Sequence, residues 1–526
     1  MKATHAMWSW LVVALVGVFV VAVVAGVSLF PRLNAAQRVL DHGKPVFTQT
    51  RVTGDRAGIT MISHAVNTLD PVVSPKGGAA AEVPKLVAFV SKQTGLSQAQ
   101  VLAALTKNFP HTTALLKAIP LTAVTKELPG LVGFLAKTLH TTPAQVLTAL
   151  KANFPGLYQS IVNLPAVTSG WENVPGTANL TRFNGAAVHT VPQVRTYFSS
   201  DVIPVLEDQR AHFNALAGSD GVAFLAPLLL TVGIVVIIFG VAMALFARKG
   251  LPRVLAGAAW SLVIAVGAAI VVVVLVLQMF PRLDGGQNLL DQARPAFNPT
   301  RVHGDQASIT MVSHVVDFAA PVVTPTGTAV PEVPKMVAFV AKQSHLSQAA
   351  VLAALTKNFP HTTALLETIP LSSVTKETPG LLAFLGTALH LSPVQVAAAL
   401  KLHFPAIYQA VTQLPFVTKG WNNVPGTTSL TTFTGSAVHT MPQMRTYLAT
   451  DVVPFLSTEQ SDFTTVDTTW PRLPVFPPLL LIVGIVVILY GVLMLVLTLR
   501  RRGGAPPADG DTPAQAGGQD RYRLQA

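Results

Sequence analysis

Four stretches of this chain, Met7–Phe30, Val222–Ala247, Val254–Phe280 and Val475–Leu499, contain no Asp, Glu, Lys or Arg. Each is at least 24 residues long. As a helix rising about 1.5 Å per residue, the shortest reaches roughly 36 Å, enough to cross a hydrocarbon core of about 30 Å. All four are therefore expected to be transmembrane helices. The first is read as a retained span, because its apolar core exceeds the roughly 7 to 15 residues of a signal peptide. Its Trp10 and Gly17 also recur as Trp260 and Gly267 in the third, internal run. A hydrophobic content of 50%, a charged content of 11% and a mean hydropathy of +0.51 fit a membrane protein and exclude a disordered chain. There is no cysteine, which excludes a disulfide scaffold, thiolate catalysis and cysteine-bound metal.

The net charge of +12 does not point to nucleic acid. No Lys/Arg stripe with interleaved aromatics is present, and part of the excess flanks the apolar runs: Arg248, Lys249 and Arg253, then Arg500, Arg501 and Arg502. Under the positive-inside rule these clusters are cytoplasmic, so the reading is a multi-pass cell-membrane protein with both termini in the cytoplasm. The expected layout is a span at 7–30, an extracytoplasmic domain at 31–221, a span at 222–247, a cytoplasmic hairpin at 248–253, a span at 254–280, a second extracytoplasmic domain at 281–474, a span at 475–499 and a disordered cytoplasmic tail at 500–526. The first domain carries 16 Lys and Arg against 10 Asp and Glu, the second 11 against 11. On that imbalance the first domain is expected to prefer anionic lipid or polymer.

Shifting residues 31–200 by 250 positions matches 104 of 170 residues without a gap, and Leu102–Thr113 is unchanged in the second copy. The chain reads as a tandem duplication of span, domain, span. A period of 45 lies inside each domain: Phe89, Val101, Phe109, Pro110 and Pro120 correspond to Phe134, Val146, Phe154, Pro155 and Pro165, and the set recurs from Phe339 and from Phe384. Each of these four copies predicts three short helices. The second opens on a capping box at Ser97/Gln100, Thr142/Gln145 and Ser392/Gln395, with Gln absent only after Ser347, and ends at a Phe-Pro step. A copy has too little core to stand alone and is expected to stack on its sequence neighbour. Asp55 and Asp305 are read as helix caps, 70–83 as a loop, 170–190 as irregular, and 192–216 as helical. No alternating strand is visible. The fold class is an all-α membrane protein with four transmembrane helices and two homologous all-α extracytoplasmic domains.

Candidate chemistry is sparse. His64, His111, His140 and His189 recur at His314, His361, His390 and His439, but no two within a half stand at ligand spacing, so no metal site is assigned. Ser63-His64 is adjacent on a helix and points about 100° apart, which works against a serine–base pair. No nucleophile elbow, phosphate loop or metalloprotease motif is present, and no catalytic residue or cofactor is assigned. Asn179-Leu180-Thr181 is a glycosylation sequon absent from the second copy. The candidate domain surface comprises Trp171 and Trp421, each in a Gly-Trp step, and the shared polar segment holding Lys107, Asn108 and His111, with Lys357, Asn358 and His361. Gly233 with Gly240, and Gly484 with Gly491, put small residues on one face of the second and fourth spans, which predicts close packing against other helices, each other included. No ionisable residue interrupts a span, which argues against an ion-coupled carrier.

These features favour a non-enzymatic integral membrane protein of the bacterial cell envelope whose duplicated helical domains bind an extracytoplasmic lipid, polymer or protein, alone or as a homo-oligomer. Nucleic acid is not an expected partner. A transporter or its accessory subunit, and a receptor signalling through a cytoplasmic partner, are the competing readings.

Overall fold

In the computed structural model, which describes residues 3–26, 28–74, 78–216, 223–249, 252–276, 278–467 and 472–500, the elements are helical, with isolated bridges Thr181–Ala187 and Thr431–Ala437. The first half runs α1 (Ala3–Gly26), α2 (Leu29–Gly43), α3 (Gln49–Val73), α4 (Ala79–Thr94), α5 (Gln98–Asn108), α6 (Pro110–Ala118), α7 (Leu121–Thr138), α8 (Pro143–Asn153), α9 (Pro155–Gly170), α10 (Val191–Tyr197), α11 (Ile203–Leu216) and α12 (Leu225–Arg248). The second half runs α13 (Arg253–Val276), α14 (Met279–Ala293), α15 (Pro299–Val323), α16 (Glu332–Ser344), α17 (Gln348–Asn358), α18 (Pro360–Thr368), α19 (Leu371–Leu389), α20 (Pro393–His403), α21 (Pro405–Gly420), α22 (Met441–Tyr447), α23 (Val453–Val466) and α24 (Phe476–Arg500). A π turn joins α10 to α11 and another joins α22 to α23. The tail expected at 500–526 lies outside the described residues beyond Arg500, as do parts of the 248–253 hairpin.

Local structure follows the sequence closely where caps are written into it. Ser97, Thr142 and Ser392 close capping boxes on α5, α8 and α20, while Ser347 caps α17 through the Ala350 amide alone. Asp55 and Asp305 are not caps. Thr48 and Asn298 take that role, and both aspartates lie inside α3 and α15, buried. Of the loop expected over 70–83, residues 70–73 belong to α3, which continues through Pro71 to Val73, residues 79–83 belong to α4, and 75–77 lie outside the described residues.

Four helices are long and apolar enough to cross a membrane: Met7–Gly26, Leu225–Arg248, Val254–Val276 and Phe476–Arg500. They belong to one unit, residues 1–33, 223–287 and 469–526. α12 packs on α1 and α24 on α13, so the second and fourth spans each pair with the opening span of their own half rather than with each other. The glycines explain how closely. A Cβ at Gly240 would stand 2.6 Å from the Ala14 amide nitrogen, and one at Gly484 2.9 Å from Val271. Between the two pairs, Trp10 stacks on Trp260 at 3.8 Å, Phe239 and Tyr490 meet them edge-on, and the Tyr490 hydroxyl donates to the Ser9 carbonyl at 3.1 Å.

The second unit combines residues 34–222 and 288–468. Within it the two segments interleave. α3 lies along α21, α15 along α9, and α6 against α18. Edge-to-face aromatic pairs give the pairing rule. Phe89 meets Phe404 and Phe109 meets Phe384, whereas Phe134 meets Phe359 and Phe154 meets Phe339. In these aromatic contacts the first 45-residue copy meets the fourth and the second the third, while α6 on α18 joins the first to the third. One continuous apolar core runs through both halves, from Val101 and Leu157 to Val351 and Ile407.

Gly240→Val drives a side chain into the α1 backbone and is expected to cost about 1–3 kcal/mol. Gly257→Ala, at a position with open space around it, is expected to leave the unfolding midpoint of the detergent-solubilised chain unchanged. Equal behaviour of the two variants would refute the close packing of α1 with α12.

Candidate functional site

The seam between the halves is where charge is buried, and proline sets its chemistry. In α6, α9, α18 and α21 a proline occupies the first helical position, so the first free N–H groups belong to the next two residues. A glutamate from the opposite half takes both. Glu377 accepts from the His111 and Thr112 amides at 3.1 and 2.8 Å, and Glu127 from His361 and Thr362 at 3.2 and 2.8 Å. Glu332 accepts from Gly156 and Leu157, and Glu82 from Ala406 and Ile407. Each carboxylate also meets the positive end of a helix dipole. The Thr112 and Thr362 hydroxyls add a bond at 2.8 Å to the same glutamates.

Within this seam lie two matching polar clusters. Arg51 and Asp55, one turn apart on α3, face Tyr447 of α22; Arg301 and Asp305 on α15 face Tyr197 of α10. Gly54 and Gly304 allow the approach, since a Cβ at either would lie 2.9 Å from a leucine of the opposite half. The Arg51 guanidinium donates to the Thr432 carbonyl at 2.9 Å and lies 4.6 Å over the Phe433 ring. Arg301 donates to the Arg182 carbonyl at 3.0 Å and lies 4.7 Å over Phe183. Asp55, Asp305, Tyr197 and Tyr447 are at most 4% exposed. In each cluster one arginine nitrogen, Nη1 of Arg51 or of Arg301, makes no hydrogen bond among the described residues. Burial pushes Asp55 up to about 7, against the opposing pull of the Tyr447 hydroxyl and the Arg51 charge. Asp305 is likewise raised by burial to about 7, opposed by Tyr197 and Arg301. Burial pushes both phenols up as well. Nearby Asp201 differs. Burial would raise it, but the Arg182 guanidinium and the Phe183 amide hold it below the usual carboxylate range. The arrangement offers two carboxyls that exchange a proton near neutral pH while wedged between the halves.

The residues singled out from sequence distribute around this seam. Trp171 and Trp421 are not surface groups: they are 0% and 2% exposed, and the Trp171 indole donates to Asp70 at 2.7 Å. Their preceding glycines seat against Met311 and Met61 of the opposite half. Lys107, Asn108, Lys357 and Asn358 are exposed, but His111 and His361 are half-buried, donating to the carbonyls of Glu367 and Lys117 at 2.8 Å across the seam. His64 and His314 donate to Gln413 and Asn163, again across it. His140 and His390 sit at helix ends in the left-handed region, and His189 and His439 donate to the Thr177 and Thr427 carbonyls. Sequence reasoning missed the four glutamates. Their signal was Glu-x-Pro, at Glu82, Glu127, Glu332 and Glu377, one in each 45-residue copy.

Because Asp55 and Asp305 bind protons more tightly folded than unfolded, their contribution to stability is complete below the ordinary carboxylate range and is lost as pH rises through about 7. The unfolding midpoint of the full-length chain in detergent should therefore fall between pH 5 and 8, and D55N/D305N should flatten that slope. An unchanged slope in the double variant would contradict the buried, titrating carboxyls. Comparison of the chain with protein-family models, curated proteins and solved structures returns no match.

Proposed function

We propose that the chain is a non-enzymatic integral membrane protein of a bacterial cell envelope, and that its large helical unit lies outside the membrane and binds a protein partner there. The observation that carries this reading is the pair of exposed Lys-Asn corners, Lys107-Asn108 and Lys357-Asn358. The His111 and His361 contacts make α6 and α18 antiparallel, so the corners are separated by about the 13 Å length of a nine-residue helix. Two identical polar groups on a frame locked by buried carboxylates form a preorganised surface for a partner. Aliphatic exposure on α20, Val394 at 78% and Leu402 at 75%, suits a protein better than a polymer of sugars, because both side chains stay in water until something apolar covers them.

The absence of cysteine makes sidedness directly testable. A membrane-impermeant maleimide added to intact cells should label Lys107→Cys, whereas Lys249→Cys should react only after permeabilisation. The reverse pattern would invert the topology. Photocrosslinkers placed at Lys107 and Lys357 in the full-length chain should capture the same protein in living cells. Capture no greater than from the exposed control position Gln98 would remove the binding surface from the proposal.

A further inference from the structure

The membrane unit contains an apolar cavity of about 220 Å³ between its two helix pairs. All four spanning helices line it, through Val16, Val236, Val266 and Val487 among others. Every lining group is hydrocarbon except the hydroxyl of Tyr490, and that hydroxyl is already committed to the Ser9 carbonyl. Phe239 and Tyr490 line one end of it, and each packs edge-on against a member of the Trp10–Trp260 stack that joins the pairs. Within each pair the glycines bring the backbones into contact, with Gly17 against Gly233 and Gly267 against Gly484. The space is therefore not slack within a pair; it is a wedge between two helix pairs that are each closely packed.

We propose that this wedge binds one hydrocarbon tail of a membrane phospholipid. Water is excluded as the occupant by chemistry, since a water needs two to four polar partners and apolar cavities stay dry. A void would forfeit the dispersion contacts of its whole lining. The remaining occupant must be uncharged, without hydrogen-bonding groups along its length, and narrow enough to lie among valine and isoleucine side chains. A saturated or singly unsaturated acyl tail meets all three conditions and is the material in which helices of this length and apolarity reside. A ring-bearing quinone head would leave its carbonyl oxygens without donors against this lining. The tail would reach Phe239 and Tyr490 and tie the two helix pairs together beside the Trp10–Trp260 stack.

The test is native mass spectrometry of the full-length chain released from a mild detergent. One phospholipid per chain should survive stripping of the annular lipid. Val266→Phe, which fills the wedge, should reduce that adduct at least ten-fold, while Val272→Phe, on the outward face, should retain it. A chain with no adduct, an adduct equally abundant in Val266→Phe, or a quinone or polyprenyl adduct in its place would overturn the proposal. Should Val266→Phe fail to fold, the wild-type chain supplies the second reading. Reconstituted with phospholipid brominated in mid-tail, it should lose more tryptophan fluorescence than a W10F/W260F chain; equal loss would overturn the proposal.

Discussion

A proline at the first position of a helix leaves the next two amides pointing forward with nothing to bind, and in this protein that single fact organises the whole large unit. Four helices begin in this way after a Phe-Pro step, and each pair of amides is satisfied by a glutamate reached from the opposite half of the chain. Leaving such buried donors unmatched would cost about 1–3 kcal/mol apiece. The phenylalanine before each proline is fixed by the same turn and meets a phenylalanine edge-on in the paired copy. Polar satisfaction and aromatic packing thus specify one register. First with fourth and second with third is the pairing in which all four carboxylates and all four rings find partners.

Interleaving changes what the charge distribution means. Read along the chain, residues 31–221 are six charges more positive than residues 281–474. In the folded unit the two segments share one apolar core. The same joining explains the buried Asp55 and Asp305. Neither would be covered within its own half, because Tyr447 and Tyr197 come from the other. A carboxyl raised to about 7 by burial is therefore a property of the seam, not of the helix that bears it.

Much of the architecture was legible in the residues themselves. The charge-free runs marked the four apolar helices, the Ser/Thr and Gln pairs marked helix starts, and Phe-Pro marked helix breaks, because each of these signals is local. What the sequence could not reveal was which copy packs against which. A 45-residue unit that cannot close its own core is equally consistent with stacking on its neighbour or on an equivalent unit 250 residues away. Trp171 and Trp421 were misjudged for that reason. The Trp171 indole is held by Asp70 of α3, and the glycines before the two tryptophans seat against Met311 of α15 and Met61 of α3, all distant in sequence. The Glu-x-Pro recurrence held the answer in part, since a carboxylate retained at the same offset in four apolar helical copies needs a partner, and helix amides left open by proline are one. The glycines of the second and fourth spans marked close packing but not its target, because a small residue records approach and not identity.

The amides opening α6 are held by a glutamate in the other half of the chain. Hydrogen exchange of the full-length protein carrying Glu377→Ala tests it directly. Exchange at His111 and Thr112, more than 260 residues from the substitution, should accelerate by about ten-fold for each 1.4 kcal/mol of protection lost, while the Ile407 amide held by Glu82 keeps its rate. Unchanged protection at His111 and Thr112 would contradict the interleaved fold.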